Sequence, residues 1–327
     1  MLTDYWVITQ LLIQVSTLLI GLGAVYYGVR IIAGWDEVAV SEKQLQLERQ
    51  TYLVSSVVRF ALLFQLFSLI LFMVTVNIHI PPLIKGAMCA QGVLSVNEYG
   101  YPLLYLKVLA VFLYVLFLSM NYLDDREPTY PLTPLKYWLI PPIAIILLVE
   151  LLLMYLFFAG ITPDIITTCC SVAFSDWGDD TTVWTLSEEW IDYLLWVFGG
   201  LYITILLLNA RKGIAPYWTL LIGVGYVVIA ILLLKLHFVK YIYGLPSHLC
   251  LYDIFLSQYH YVGFGLFLSY YILLSLLIFK NCLYLKEGTL RYSYSRLKTR
   301  IDYFIYILTS LIILIPMLYW ILWEGKL

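Results

Sequence analysis

The sequence predicts an all-α polytopic membrane protein with eight transmembrane helices. Three observations predict it: 62% of the 327 residues are hydrophobic, only 12% are charged, and apolar segments recur from residue 6 to residue 322 with no connecting stretch of domain length. Soluble domains carry roughly a quarter charged residues, whereas a bilayer accepts lateral apolar surface directly. Mean hydropathy is +0.89. The formal net charge of -2 leaves no electrostatic footprint for nucleic acid, so the partner that composition names is the lipid bilayer.

A transmembrane helix needs about twenty mostly apolar residues. The first span, 6–30, follows Met-Leu-Thr-Asp, which lacks the basic region of a signal peptide, and is read as a retained helix. The second, 54–79, is preceded by residues 37–53. There Glu37, Glu42, Lys43, Gln46, Glu48 and Arg49 mix with Val38, Val40, Leu45 and Leu47, a pattern that extends the helix into the cytoplasm. Pro81 and Pro82 close this span, and the Pro128 to Pro134 cluster follows the third, 102–123. The fourth, 138–160, takes Pro141 and Pro142 in its opening turns and ends before Pro163. Pro216 separates the fifth span, 190–209, from the sixth, 217–239. Pro246 precedes the seventh, 261–280, and Pro316 lies inside the eighth, 302–323, where a kink is expected.

Basic residues orient the chain, because cytoplasmic connections are enriched in Lys and Arg. The loops after spans 1, 3, 5 and 7, with their span ends, hold fourteen of the nineteen, from Arg30 to Arg300. Those loops are expected in the cytoplasm and both termini outside, in a plasma membrane or bacterial inner membrane. The topology then places Cys89, Cys169, Cys170 and Cys250 on outer loops and Cys282 on the cytoplasmic side. Disulfides are favoured outside and reduced thiols inside.

A weak internal repeat surrounds these cysteines. Pro81-Pro82, Cys89 and Tyr99-Gly100-Tyr101 precede span 3, while Pro246, Cys250 and Tyr259-His260-Tyr261 precede span 7. It suggests two four-span halves, residues 1–160 and 190–327, joined by an outer loop, 161–189, that carries the vicinal cysteines. Four cysteines allow three pairings: Cys89 and Cys250 each bridge one member of the Cys169-Cys170 pair, or pair with each other. The bridges either clamp the loops permanently or carry electrons.

For thiol chemistry the nucleophile is a thiolate, and His248, two residues before Cys250, is a candidate base. A membrane quinone is a suitable electron acceptor. In outline this arrangement resembles the membrane thiol oxidoreductases of the vitamin K epoxide reductase and bacterial disulfide-forming kinds, which use outer-face cysteines on a four-helix bundle. Those families carry a Cys-x-x-Cys pair that this chain lacks, so no catalytic residue carries over by motif.

The competing chemistry is haem or copper ligation. His79, His237, His248 and His260 fall near the outer boundary, with Cys89, Cys250 and Met88 adding sulfur ligands. In that reading the protein is a membrane subunit of an electron-transfer complex with structural disulfides. The acidic, aromatic segment 176–189, which includes Trp177, Asp179, Asp180, Trp184, Glu188 and Glu189, would dock an outer redox protein or another subunit.

Charges within spans are costly and face the bundle interior. Glu150 lies mid-span, and Lys107 and Lys235 sit at comparable depths in the two proposed halves. Either lysine can pair with Glu150 or Asp192, or hold a quinone oxygen. Together with Tyr259 they are the candidate cofactor-binding residues, and in a third reading the charged residues line a transport path.

Overall fold

The computed structural model describes residues 1–36, 41–127, 130–162, 167, 190, 193, 197, 199–205, 216–244, 250–285 and 295–323. These form an all-α polytopic membrane protein, with no strand among the described residues. Seven helical segments among them are long and apolar enough to cross a bilayer. The expected fifth span falls largely outside the described residues, although 199–205 within it are helical.

The chain divides into two compact units. The first comprises Met1–Lys85, Gly92–Thr167 and Leu285–Ser293, and the second comprises Gly86–Gln91, Thr168–Tyr284 and Tyr294–Leu327.

In the first unit, α1 (Tyr5–Gly34) starts where the Asp4 carboxylate accepts from the backbone N–H groups of Trp6 and Val7, an N-cap. Its buried stripe is Gln10, Gln14, Thr17, Gly21, Ala24, Gly28 and Ile31. The spacing of three and four puts them on one helical face, and Leu12, Leu19 and Leu22 on the opposite side are exposed to lipid. Small residues let neighbours approach: a Cβ on Gly21 would lie 3.3 Å from Leu147, and one on Gly28 3.1 Å from Tyr137. Helix α2 (Glu42–Val74) is capped by Ser41, whose hydroxyl accepts from the Gln44 N–H. The polar stretch before span 2 is therefore helical from Glu42 onward, while residues 37–40 lie outside the described residues. A π-turn, Thr75–His79, continues α2 and precedes the 3₁₀ turn Pro81–Leu83.

The short α3 (Ala90–Leu94) leads to α4 (Gly100–Asp124), and α5 (Thr133–Trp138) with α6 (Ile140–Ala159) makes one crossing. Pro141 and Pro142 occupy the opening turn of α6, where no intrahelical N–H is required. Helix α1 packs on α2, α5 and α6, and α4 packs on α2, α5 and α6.

The second unit contains α7 (Pro216–Leu233), a π-turn at Leu234–Phe238 and α8 (Val239–Tyr243), followed by 3₁₀ turns at Asp253–Phe255 and Ser257–Tyr259. Helices α9 (Val262–Leu285) and α10 (Ser295–Trp323) complete it. Lys280 pairs with Asp302 between α9 and α10, and Tyr226 stacks on Tyr202 at 4.8 Å. Helix α10 runs unbroken through Pro316. The spans leading to the Cys89 and Cys250 loops each contain, at or near their ends, a π-turn that carries a histidine, His79 and His237.

Candidate functional site

The chemistry-bearing cluster of the second unit is built from residues 86–91 and the segment after α8. Gly244, at φ 67°, ends α8 in the left-handed conformation that glycine adopts at no steric cost. The Tyr243 hydroxyl donates to the Cys250 carbonyl and fixes that residue at the end of the turn. Beyond it, Ile254 and Phe255 are buried, and Phe255 lies 4.9 Å from Phe264 and 5.2 Å from Phe267, ring to ring. Glycine at 263 permits this seating, because a Cβ there would come within 2.6 Å of the Ile254 side chain. The loop is thus clamped to the start of α9, with His260 and Tyr261 held at φ 51° and 56°. Two non-glycine residues in the left-handed region cost about 1–2 kcal/mol each, which the surrounding packing must offset.

This frame brings Cys250 to Cys89. Their sulfurs are 3.5 Å apart, with Cys89 0% and Cys250 3% exposed, and Tyr252 packs against the pair. The Cys250 thiol also reaches the Gln91 side-chain oxygen at 3.5 Å. Asp253, opening the 3₁₀ turn three residues after Cys250, completes a group of ligand atoms that all lie within 4.8 Å of one another: Cys89 Sγ, Cys250 Sγ and a carboxylate oxygen. The Tyr259 ring lies 4.4 Å from that of Tyr243, tilted at 50° to it. Burial raises the Tyr259 phenol above its ordinary range, and negative charge at Asp253 and Cys250 adds to the shift.

The disulfide expectation finds no support among the described residues. A disulfide needs sulfurs about 2.05 Å apart. Among the described residues no two cysteine sulfurs lie at that distance, the Cys89–Cys250 separation being 3.5 Å. Cys282 is buried in α9. Cys169, Cys170 and His248 lie outside the described residues.

None of the described histidines joins the sulfur group. His79 belongs to the first unit, where its ring nitrogen is 2.8 Å from the Asp4 carboxylate and its ring lies against Tyr5 and Trp6. His237 sits on the second π-turn against Phe238 and Tyr241, and His260 is exposed at the end of a 3₁₀ turn. None of these three belongs to the Cys89–Cys250–Asp253 group, whose sulfur and oxygen donors suit zinc better than haem.

The first unit holds a separate polar cluster within its helices. Lys107 Nζ lies 3.1 Å from Glu150 Oε1, and the two side chains are 1% and 2% exposed. The other carboxylate oxygen accepts from Gln14 and from the Tyr114 hydroxyl, each at 3.1 Å, and Gln65 donates to Gln14 at 3.0 Å. Lys107 also donates to Ser68 at 3.2 Å. Each charge therefore has an opposite charge and further hydrogen bonds, the condition under which ions persist away from water. A second buried pair, Lys136 with Asp124 at 2.7 Å, joins α5 to α4; Asn121 accepts from the same lysine, while Thr133 donates to the same carboxylate. Lys235, by contrast, is exposed on its π-turn.

Asp253 and Gln91 were not singled out from sequence. A Cys-x-x-Asp spacing in a loop and an isolated glutamine carry no motif, and only the fold places them beside Cys250. No protein-family model, curated protein or solved structure matches this chain.

Proposed function

We propose that the protein is an integral membrane thiol/disulfide redox protein whose reactive couple is Cys89 and Cys250, with a membrane quinone as electron partner. The observation that carries this reading is the meeting of two buried thiols at 3.5 Å across 161 positions of sequence. Oxidation joins the two sulfurs and releases two protons and two electrons, which convert one quinone to quinol. The Cys169-Cys170 pair exchanges with the couple through a mixed disulfide, and His248 takes the thiol proton. Tyr259, beside Cys250 and Asp253, forms part of the wall of the reacting centre.

The proposed orientation puts both termini and the four cysteines of this relay on the outer side of a plasma membrane or bacterial inner membrane, supported by the fourteen basic residues assigned to the opposite side. The matched π-turns before the two cysteine loops support the reading of the chain as two four-span halves. The acidic segment 176–189 is the docking surface for an outer redox protein or a companion subunit.

The test is thiol counting on the purified protein after incubation with a short-chain quinone. Loss of two thiols matched by one quinol formed, absent in Cys89→Ser and in Cys250→Ser, is the expected result. Thiols that persist through excess quinone while Cys89 and Cys250 stay unmodified would overturn the reading.

A further inference from the structure

The geometry points to a second use of the same centre: in its reduced form, Cys89, Cys250, Asp253 and Gln91 make a tetrahedral S2O2 site for a divalent zinc-like cation. This inference rests on the proposed function only in requiring that the two sulfurs be reduced. Zinc takes thiolate sulfur at about 2.3 Å and carboxylate oxygen at about 2.0–2.2 Å in tetrahedral geometry. Such a tetrahedron has a sulfur–sulfur edge of about 3.8 Å and sulfur–oxygen edges of about 3.6 Å. The structure already holds Cys89 Sγ to Cys250 Sγ at 3.5 Å and Cys250 Sγ to Gln91 Oε1 at 3.5 Å. The carboxylate oxygen of Asp253 lies within 4.8 Å of both sulfurs. Seating one ion between them takes a slight opening of the sulfur pair, from 3.5 Å to about 3.8 Å, and a movement of the Asp253 carboxylate.

Chemistry favours a zinc-like cation over two competing occupants. Haem iron would take one axial sulfur and leave the second sulfur and the carboxylate unused, and His79, His237 and His260 are not in the group to serve as a further axial ligand. Calcium and magnesium prefer six or more oxygens, whereas two of these four donors are sulfur. The rigid frame adds to the case: Tyr243 holds the Cys250 backbone, the aromatic contacts of Phe255 hold the turn that begins at Asp253, and Cys89 is fully enclosed. Residues that would otherwise lose side-chain freedom on binding are already ordered.

Binding is balanced by proton release. One M2+ replaces the protons of both thiols, leaving a complex of two thiolates, one carboxylate and one neutral amide oxygen with a net charge of −1, and two protons enter solvent. Apparent affinity should then rise by up to about a hundredfold per pH unit while both thiols are protonated in the free protein. Oxidation of the couple removes both sulfur ligands, so the oxidised protein does not hold the ion.

The experiment titrates the full chain, purified in detergent and reduced, with Co2+ as an optical probe. The expected result is one equivalent bound with sulfur-to-cobalt charge-transfer bands and tetrahedral d–d bands, displaced by Zn2+. Asp253→Asn and Gln91→Leu should each weaken binding at least tenfold at unchanged thiol count, and Cys89→Ser should abolish the charge-transfer band. If Cys89→Ser does not fold, Asp253→Asn carries the test, because it keeps the side-chain shape. A band that survives Cys89→Ser, affinity unaltered in Asp253→Asn, or no band at all overturns the site. The two readings separate cleanly. Reversible quinone-linked oxidation without cobalt binding sinks the metal site alone, and stoichiometric cobalt binding in a protein that quinone never oxidises sinks the redox reading alone.

Discussion

Lys107 and Glu150 face each other at 3.1 Å inside the first unit, tying α4 to α6 through a charge pair that water does not reach. Gln14 of α1 and Ser68 of α2 hydrogen-bond to the same pair, so all four long helices of that unit meet there. Removing one partner leaves an uncompensated charge where its desolvation cost is largest. Lys107→Met should therefore destabilise the protein by about 3–5 kcal/mol. The double variant with Glu150→Leu removes both charges and should cost clearly less than the sum of the single changes. Reversible unfolding in detergent micelles measures all four corners of this cycle. Additive costs would show that the two side chains do not act as a pair.

Asp4 and His79 form the corresponding link between the start of α1 and the end of the first π-turn. Burial pushes the Asp4 carboxyl upward, but hydrogen bonds from His79 and from the backbone of Trp6 and Val7, with the charge of His79, outweigh it and hold the group below its ordinary value. A carboxyl depressed in the folded state contributes stability that is fully present above its unfolded pKa, about 3.9, and is lost as pH falls through the lower folded value. Asp4→Asn keeps a good N-cap and removes the titration. Its melting temperature should fall less steeply with acidification below about pH 4 than that of the wild type. Parallel profiles would show that Asp4 does not contribute to the acid response.

These two pairs also mark how far sequence reading reaches. The seven described spans were legible because each is a continuous apolar run, a signal that needs no tertiary information. A mid-span Glu150 required a buried partner, and Lys107 was one of two lysines at suitable depth; the fold chooses it and leaves Lys235 exposed. His79 is different. Its grouping with the other histidines followed from a shared position near the membrane boundary, but Asp4, 75 positions earlier, takes its ring nitrogen. The π-turns at Thr75–His79 and Leu234–Phe238 leave no mark in the sequence, since a widened turn follows no residue propensity or hydrophobic period. The meeting of Cys89 with Cys250 was one of three possible pairings, and nothing in the spacing of cysteines chooses among them.

Tyr243 offers a way to perturb the thiol centre without touching a sulfur. Its hydroxyl donates to the carbonyl of Cys250, and both residues are buried. Tyr243→Phe leaves that carbonyl without this donor, at a cost of about 1–3 kcal/mol. Cys250 should lose its fixed position, and closure of the Cys89–Cys250 bond should slow by about tenfold, the rate equivalent of about 1.4 kcal/mol. Stopped oxidation followed by thiol alkylation reads the rate. An unchanged rate in a correctly folded variant would show that the hydrogen bond has no role in positioning the sulfur.

Gly100 and Gly23 make a paired test of backbone packing in the first unit. A Cβ on Gly100 would stand 2.2 Å from the Leu94 carbonyl oxygen and 2.9 Å from two further Leu94 backbone atoms, a clash that no side-chain rotation relieves. Leu94 is fully buried at the end of α3, so the opposing backbone has little room to retreat. Gly100→Ala should therefore destabilise by about 2–4 kcal/mol through overpacking at the entry to α4. At Gly23, within α1, a Cβ meets nothing within 4 Å. There Ala relieves the helix of the extra backbone entropy that glycine loses on folding, and Gly23→Ala should stabilise by about 0.5–1 kcal/mol. Thermal unfolding of the two variants under one detergent condition gives both signs in a single comparison. A tolerated Ala at 100 would mean that α3 and the start of α4 lie farther apart than 2.2 Å from Cβ to oxygen allows.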